Sequence, residues 1–261
     1  MAKESFFKPF YTVLVLAFVC SFLVSLASVG LRPRQEANRA LERKKNILLA
    51  AGLYKEGSDI DKLFASIEAR IIRLSTGEFV PPEEMDVADF DQLASANDPK
   101  QSKALTKDED IAGLRRLEKY ATVYLIKNES GLQQVILPIR GKGLWSTMYG
   151  YVALDADLQT VHGLAFYEHG ETPGLGGEIE NPTWLAGWHG KKIYDDQGRV
   201  VLRVVKGVSK AHDEAALHEV DGLSGATLTG NGVERLFHFW FDDQGYKTFL
   251  DKLRQGEGHN G

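Results

Sequence analysis

The residues best suited to chemistry lie near the C-terminus, where residues 221–229 read Asp-Gly-Leu-Ser-Gly-Ala-Thr-Leu-Thr. Gly225 and Ala226 are small enough to let the backbone approach a bulky group closely. The segment that follows is amphipathic and aromatic, which places Thr227 at or just before the N-terminus of a helix. Free N–H groups and the helix dipole favour a phosphate there. The stretch therefore predicts a seat for a phosphorylated ligand.

Two interpretations of the hydroxyl groups in this stretch are open. In the first, they hold or carry a phosphate. In the second, Ser224 or Thr227 is an ordinary helix N-cap, because serine and threonine are preferred caps. Capping explains a hydroxyl but leaves Asp221 and the paired small residues without a role, so we favour the phosphate.

The stretch resembles the flavinylation motif D-x-x-(S/T)-G-A-(S/T) of the FMN-binding domain family, in which the last hydroxyl carries FMN through a phosphoester bond. Every fixed position of the motif is matched, by Asp221, Ser224, Gly225, Ala226 and Thr227. The resemblance implies that Thr227 holds FMN covalently and that a flavin transferase attaches it.

A second segment, residues 171–178, reads Glu-Thr-Pro-Gly-Leu-Gly-Gly-Glu and is a loop by composition. Its G-x-G is a weak match to a dinucleotide fingerprint, because a proline and two carboxylates crowd the glycines. The segment instead resembles the E-T-P-G-L-G loop of the same family, which packs against the isoalloxazine ring and hydrogen-bonds to it. The resemblance implies that Glu171, Thr172 and Leu175 line the ring.

Two more segments resemble family positions near the flavin. Residues 141–145 match G-x-G-(L/I)-W, which implies that Leu144 and Trp145 lie near the ring, and Lys206 in V-V-K-G matches a lysine close to the flavin. The alternatives are that Trp145 is an ordinary core aromatic and that Lys206 is a solvated lysine beyond a strand. A cation beside the ring stabilises a reduced anionic flavin, so Lys206 is a candidate for tuning the potential.

Other kinds of site do not fit the sequence. His212 and His218 are six residues apart, which does not match a metal-binding H-E-x-x-H helix, and we predict no metal site. Ser224 lacks the G-x-S-x-G surroundings of a hydrolase nucleophile, and we predict no catalytic residue for substrate turnover. Cys20 is the single cysteine, so the chain alone builds neither a disulfide framework nor an iron-sulfur site.

Composition indicates a folded protein without a nucleic-acid partner. Hydrophobic residues make up 43% of the 261 residues, which is enough to bury a core. The formal net charge of -5 comes from 31 basic and 36 acidic side chains without a long basic run. That distribution lacks the basic footprint typical of nucleic-acid binding.

The elements that must position the candidate residues fit an α+β domain with a mostly antiparallel sheet and helices. Apolar spacing predicts helices over residues 35–51, 59–74, 182–188, 233–241 and 246–253. Strand patterns occur over residues 122–126, 134–139, 150–155, 161–167 and 200–205, with a hairpin turn at 128–131. Residues 83–110 are acidic and polar, which predicts an exposed, partly irregular connection.

Residues 11–31 are almost wholly apolar and carry no charge, long enough as a helix to cross the roughly 30 Å hydrocarbon core of a bilayer. A cleaved signal peptide is the alternative, since Ser25 and Ala27 are small residues near the end of the run. The run exceeds the usual signal h-region of about 7 to 15 residues, so we predict a retained transmembrane helix.

Charge and resemblance give opposite orientations for that helix. Lys3 and Lys8 precede it, whereas six basic residues follow between Arg32 and Lys45, a balance that keeps the C-terminal part in the cytoplasm. The family resemblance implies a periplasmic FMN domain on the bacterial inner membrane, and we follow the resemblance.

Four regions are predicted on this basis. They are a cytoplasmic tail (1–9), a transmembrane helix (10–31), a helical and irregular connecting region packed on the soluble domain (32–120), and the FMN-binding domain (121–261). The phrase D-G-L-S-G-A-T-L-T-G-N-G-V and the stretch K-N-I-L at residues 45–48 resemble the flavin subunit of Na+-translocating NADH:quinone oxidoreductases.

That resemblance implies an electron carrier that passes electrons between neighbouring redox centres towards quinone, with the other subunits of a membrane redox complex and membrane lipid as partners. The alternative within the family is the G subunit of the related ferredoxin:NAD+ oxidoreductase complex. Two alternatives from other classes are a membrane-anchored module that binds FMN or another phosphate noncovalently, and an assembly subunit that docks through its aromatic helix.

Overall fold

The computed structural model of the chain describes residues 7–210 and 212–256. Residues 1–6 of the predicted cytoplasmic tail lie outside the described residues. The chain divides into two compact units, with the boundary between Arg43 and Lys44.

The described residues of the first unit all lie in one helix, α1 (Phe7–Ala50). This helix has 44 residues, and its last residues belong to the second unit. Its most apolar window of 18 residues has a mean hydropathy of 2.5, and none of that window is buried. Within the described residues, α1 is the one helix long and apolar enough to cross a membrane. The helix predicted over residues 35–51 is the C-terminal part of α1, which ends at Ala50.

The described part of the second unit contains short helices and ten strands. Its helices are α2 (Ile60–Phe64), α3 (Gln92–Asn97), α4 (Pro182–Ala186), α5 (Thr227–Trp240) and α6 (Lys247–Arg254). Its strands are β1 (Ile67–Arg73), β2 (Glu78–Phe79), β3 (Ser102–Ala104), β4 (Arg116–Glu118), β5 (Tyr120–Asn128), β6 (Gly131–Lys142), β7 (Thr147–Asp155), β8 (Val161–Glu168), β9 (Arg203–Val204) and β10 (Glu219–Val220). Two 3-10 turns cover Gly176–Glu180 and Asp213–His218.

Six of the strands form one antiparallel sheet in the order β2-β1-β5-β6-β7-β8. Alternation along β6 sends Val135 and Leu137 into the main core and Ile136 into a second, smaller core. The main core includes residues of α5 and α6, and the second includes Ile47, Leu48, Ala50 and Ala51. Hence both faces of the sheet are covered, and the predicted antiparallel α+β architecture is confirmed.

The helix predicted over residues 59–74 is wrong. Helix α2 ends at Phe64, and β1 pairs with β5 residue by residue from Ile67 to Arg73. Because both faces of the sheet are buried, the adjacent Ile71 and Ile72 are both inside, and the strand lacks the alternation that identifies half-exposed strands. The β-branched isoleucines favour the strand once β5 is there to pair with it.

One other predicted strand is shorter than expected, and one predicted connection contains short elements. Of residues 200–205, only β9 is a strand, and it pairs in parallel with β10 outside the large sheet. Residues 83–110 are mostly irregular, as predicted, but contain α3 and β3. The predicted hairpin turn at 128–131 and the helices near 182, 233 and 246 are confirmed.

Helix α5 is the element that fixes the position of the candidate motif. Its apolar side chains Val233, Leu236, Phe237 and Trp240 are fully buried against the sheet. The Trp240 indole also donates to the carbonyl of Arg140 in β6 at 2.7 Å. This packing holds the N-terminus of α5 beside the turn between β6 and β7, where residues 143–146 lie.

Candidate flavin site

Thr227 is the first residue of α5, and its side chain is exposed. The N-cap is Ala226, and no side chain forms a capping hydrogen bond there. Neither Ser224 nor Thr227 therefore acts as the cap, and the capping interpretation is wrong. The N–H groups of a helix's first turn have no acceptor within the helix, so a hydroxyl and a set of N–H donors meet at this point.

The turn before α5 is held by Asp221 and by a positive-φ glycine. The Asp221 carboxylate accepts from the backbone N–H of Ser209 at 2.8 Å, and Gly222 N–H donates to the Gly207 carbonyl at 2.7 Å. Gly225 has φ of 69°, a conformation that strains residues with a side chain. These bonds bring the loop that carries the exposed Lys206 against the motif.

Glu171 is a buried carboxylate that ties three segments together. It is only 4% exposed. Its oxygens accept from the backbone N–H groups of Leu144 at 3.2 Å, Trp145 at 2.9 Å and Ser146 at 3.2 Å. They also accept from the hydroxyl of Thr229 in α5 at 2.6 Å. Glu171 therefore fixes the 143–146 turn to α5, and its carboxylate is fully engaged by donors of the chain itself.

The pKa of Glu171 reflects this network. Burial raises the pKa of the carboxyl group. The hydrogen bonds from the Thr229 hydroxyl and from the N–H groups of Trp145, Ser146 and Leu144 lower it, and together they outweigh the effect of burial. The net pKa lies below the usual value for glutamate. Glu171 is therefore ionised at neutral pH, as a fourfold acceptor must be.

Thr229 lies within the candidate site and was not among the residues predicted from the sequence. Its side chain is 1% exposed, and its hydroxyl is bound to Glu171. Residues two positions apart on a helix point about 200° apart, so Thr229 faces inwards where Thr227 faces outwards. The inward face of α5 was visible in the apolar spacing of residues 233–241, and extending that face back by one turn identifies Thr229.

The loop predicted to pack on the ring lies against the motif. A Cβ on Gly176 would come within 2.5 Å of the Thr229 hydroxyl oxygen, so only glycine lets this loop reach α5. A Cβ on Gly225 would likewise meet the Leu175 side chain at 2.9 Å. The carbonyl of Thr172 accepts from the N–H groups of Leu175 and Gly177. The loop is therefore compact and seated directly on the turn that precedes Thr227.

Several apolar side chains of these segments are left in solvent. Leu144 is 44% exposed, Trp145 66%, Leu175 45% and Leu228 57%. The core interpretation of Trp145 is therefore wrong. Exposed apolar groups beside a phosphate seat are what a flat aromatic ligand with a phosphate tail requires.

The residues present fit FMN. Backbone N–H groups and the exposed Thr227 hydroxyl meet at the phosphate end, exposed apolar side chains lie on the neighbouring segments, and Lys206 supplies a cation on the adjoining loop. Across residues 7–210 and 212–256, no group of three or more His, Cys, Asp or Glu residues is arranged to hold a metal ion.

Comparison with known proteins agrees with this geometry. Residues 143–242 match the FMN-binding domain family, a range that includes every residue predicted to contact the flavin. The crystal structure of Shewanella oneidensis NqrC superposes with a TM-score of 0.76 at 40% identity, covering 84% of this chain and 99% of that one. The structure of the C subunit of Na(+)-translocating NADH-quinone reductase from Parabacteroides distasonis has a TM-score of 0.63 at 28% identity, covering 84% and 96%.

Curated relatives match over nearly the full length. The C subunit of Na(+)-translocating NADH-quinone reductase from Yersinia pestis is 46% identical over 264 residues, covering 99% of this chain and 97% of the relative. The corresponding protein of Pseudomonas aeruginosa is 46% identical over 259 residues, covering 98% of both chains. The chain therefore belongs to the family of C subunits of Na(+)-translocating NADH-quinone reductases.

Proposed function

We propose that the chain carries FMN through a phosphoester bond to the Thr227 hydroxyl and serves as an electron-carrier subunit of a Na+-translocating NADH-quinone reductase. The observation that carries the proposal is the state of Thr227 itself. Its side chain is exposed at the N-terminus of α5, is not used in capping, and lies among loops with exposed apolar side chains. An unused threonine hydroxyl at a phosphate-favouring position is a suitable acceptor.

Each segment of the site has a separate task in this proposal. The first-turn N–H groups of α5 hold the phosphate, and the exposed Leu144, Trp145, Thr172 and Leu175 border the ring. Glu171 acts one step away, because its buried carboxylate positions the turn that carries Leu144 and Trp145. The bound FMN supplies the capacity to accept and release electrons singly or in pairs.

Asp221, Ser224 and Lys206 complete the proposed site. Asp221 holds the loop that carries Lys206 against the motif, through the Ser209 N–H. Lys206 places a positive charge on that loop, where it favours a reduced, anionic ring. Ser224 is exposed three residues before Thr227 and is the hydroxyl a flavin transferase must leave unmodified.

The place of the chain in a complex is inferred from its family. Its relatives are subunits of Na(+)-translocating NADH-quinone reductases, so we assign the other subunits as partners and give this chain a relay of electrons towards quinone. A flavin transferase is the partner required for attachment. Covalent attachment keeps the flavin at a high local concentration near those partners, which suits a carrier. The full-length matches favour this family over the ferredoxin:NAD+ oxidoreductase G subunits.

We also propose that residues 10–31 anchor the chain in the bacterial inner membrane, with residues 1–9 cytoplasmic and the FMN-binding domain (121–261) periplasmic beyond a connecting region (32–120). A single cysteine at the exposed hairpin residue Ser130, in a Cys20→Ser background, tests the orientation. A membrane-impermeant thiol reagent should label Ser130→Cys in cells with an intact inner membrane. Labelling that requires disruption of the inner membrane contradicts the orientation, and Cys20→Ser alone is the control.

Mass spectrometry of the fully denatured protein from its native host tests the attachment. We expect an added mass of one FMN less one water on the peptide that contains Thr227, because the phosphoester forms with loss of water. If the flavin separates from the chain on denaturation, the protein is a noncovalent FMN-binding module and the phosphoester is wrong. Protein without any flavin, with a flavin transferase present, favours the assembly-subunit alternative.

A further inference from the structure

A cavity of about 240 Å³ lies away from the candidate flavin site, where α3 and the turn before β4 pack against the ends of β6 and β7. The polar side chains that line it are those of Asn97, Arg115, Arg116, Arg140, Thr147 and Tyr149. Three of the six are arginines, and among the described residues no carboxylate lines the cavity. Among the described residues, Arg140 is paired with Glu118, which lies outside the lining, whereas Arg115 and Arg116 have no carboxylate partner, so the walls carry a net positive charge.

Arg140 is the buried member of this set. Its residue is only 8% exposed, and its guanidinium pairs with Glu118 and donates to the Arg116 carbonyl at 3.3 Å. Its Nε is completely buried and has no hydrogen-bond acceptor within the part of the chain that the structure describes. A buried guanidinium N–H without an acceptor is rare, and it shows that the chain does not use all the donors of Arg140.

Arg115 adds a second cation at the mouth of the cavity. It is exposed, and no carboxylate of the described residues pairs with its guanidinium. Its backbone has φ of 66°, which is uncommon outside glycine. The Asp110 carboxylate holds this turn by accepting from the N–H groups of Leu114 at 2.6 Å and Arg115 at 2.8 Å.

Arg116 is the third cation, and two of its nitrogens already donate within the chain. Its Nε donates to the Ser102 hydroxyl at 2.8 Å, and its Nη2 donates to the Ser102 carbonyl at 3.1 Å. Both acceptors are uncharged, so Arg116 keeps its full charge beside the cavity. It contributes electrostatic attraction, while Arg115 and Arg140 supply donors.

We propose that this cavity is a binding site for a small oxyanion, a phosphate or a carboxylate, held between Arg140 and Arg115. Its volume lies below the range typical of pockets that hold drug-sized or cofactor ligands, so it suits a small anion better than FMN or a nucleotide. Thr147 and Tyr149 supply hydroxyl donors for the remaining oxygens. The bound anion joins the 113–116 turn to β7, the strand that leaves the turn carrying Trp145.

Two larger cavities in the same unit show why this one is chosen. A cavity of about 460 Å³ is lined by Asp195, Glu214 and Asp251 among other residues, and one of about 420 Å³ by Glu178, Glu219 and Asp221. Carboxylates in the walls repel an anion. Neither cavity has the charge of the 240 Å³ site.

Calorimetric titration of inorganic phosphate into the full FMN-bearing chain in detergent tests the proposal. Wild type should bind inorganic phosphate saturably, beyond the effect of sodium chloride at equal ionic strength. Arg115→Gln should weaken the affinity at least about tenfold, because one charge-assisted hydrogen bond is lost. Arg235→Gln, which removes an exposed arginine of α5 outside the cavity, should leave the affinity unchanged. Arg140 is left intact because its replacement would leave the buried Glu118 without its cationic partner.

Acetate under the same conditions tests the carboxylate form of the ligand. Saturable binding of either anion that Arg115→Gln weakens and Arg235→Gln does not supports the site, and the tighter anion identifies its chemistry. Absence of saturable binding of both anions to wild type overturns the proposal. Equal affinities in wild type and Arg115→Gln also overturn it. Both results are independent of whether FMN is attached at Thr227.

Discussion

Thr227 and Thr229 lie in the same turn of α5, and their surroundings are opposite. Thr227 is exposed and its hydroxyl caps nothing, whereas Thr229 is 1% exposed and donates to a buried carboxylate at 2.6 Å. The same contrast divides the whole site. We call Leu144, Trp145, Leu175 and Thr227 the exposed rim, and Glu171 and Thr229 the buried floor.

The difference separates two ways in which a residue contributes to a site. A rim residue has few contacts within the chain, so its replacement costs little folding free energy. Its replacement should instead change how the ligand is bound. A floor residue is bound on all sides, so its replacement leaves buried polar groups without partners. Flavin content and folding stability should therefore respond to different substitutions.

Thr227→Ala should produce the largest effect, complete loss of covalent flavin. The free energy of unfolding should change by no more than about 0.5 kcal/mol, since the side chain is exposed and makes no capping bond. Mass spectrometry and denaturant unfolding measure the two quantities. Ser224→Ala is the matched control and should retain the flavin. Flavin retained by Thr227→Ala but lost from Ser224→Ala moves the attachment to Ser224.

Glu171→Ala should produce the largest effect on stability. It leaves the buried Thr229 hydroxyl and three partly buried backbone N–H groups without their acceptor, which should cost about 3 kcal/mol of unfolding free energy. Chemical denaturation of the full chain measures it. Glu168→Ala, at an exposed position, should change stability by less than about 0.5 kcal/mol. Equal effects of the two substitutions contradict the buried floor.

Thr229→Val should lower the free energy of unfolding by an intermediate amount, about 1.5 kcal/mol. Valine matches the shape of threonine but removes the hydroxyl that donates to an ionised group. A double-mutant cycle with Glu171→Gln isolates the pair, and we expect a coupling of about 1 kcal/mol. Flavin should remain attached to Thr227. Additive effects of the two substitutions show that the hydrogen bond contributes nothing beyond packing.

Much of this arrangement was predictable from the sequence, because its parts are local. The hydroxyl at the start of a helix, the hairpin turn at 128–131 and the apolar face of α5 follow from short-range patterns. Strand β1 was not predictable in this way. Its isoleucines satisfy helical spacing, and only the pairing with β5, about fifty residues later, decides between helix and strand.

The buried floor was harder to predict than the rim, for the same reason. Glu171 and Thr229 are 58 residues apart, and neither local pattern shows that they meet. The position of Glu171 near the ring was implied only by the resemblance of its loop to the family loop. The structure adds that donors of the chain surround its carboxylate, because the 143–146 turn and α5 converge there.

The lowered pKa of Glu171 predicts a smaller effect, a dependence of the free energy of unfolding on pH. Its pKa in the folded state lies below the unfolded value of about 4.3, so the carboxylate stabilises the fold above that pH. This contribution is lost as pH falls through the folded pKa. The stability difference between wild type and Glu171→Gln should therefore be constant near neutral pH and shrink below about pH 4.3. A difference that grows on acidification contradicts the assignment.

Trp145→Ala should have the smallest effect on stability and a distinct effect on the ligand. Because the indole is 66% exposed, its removal should change the unfolding free energy by less than about 0.5 kcal/mol. The turn that carries it stays held by Glu171 through the backbone, so the site keeps its shape without the side chain. The attached flavin should then be more mobile, with lower fluorescence anisotropy, while Trp145→Phe should restore the wild-type value. Unchanged anisotropy in Trp145→Ala places the ring away from Trp145, and a large loss of stability moves Trp145 from the rim to the floor.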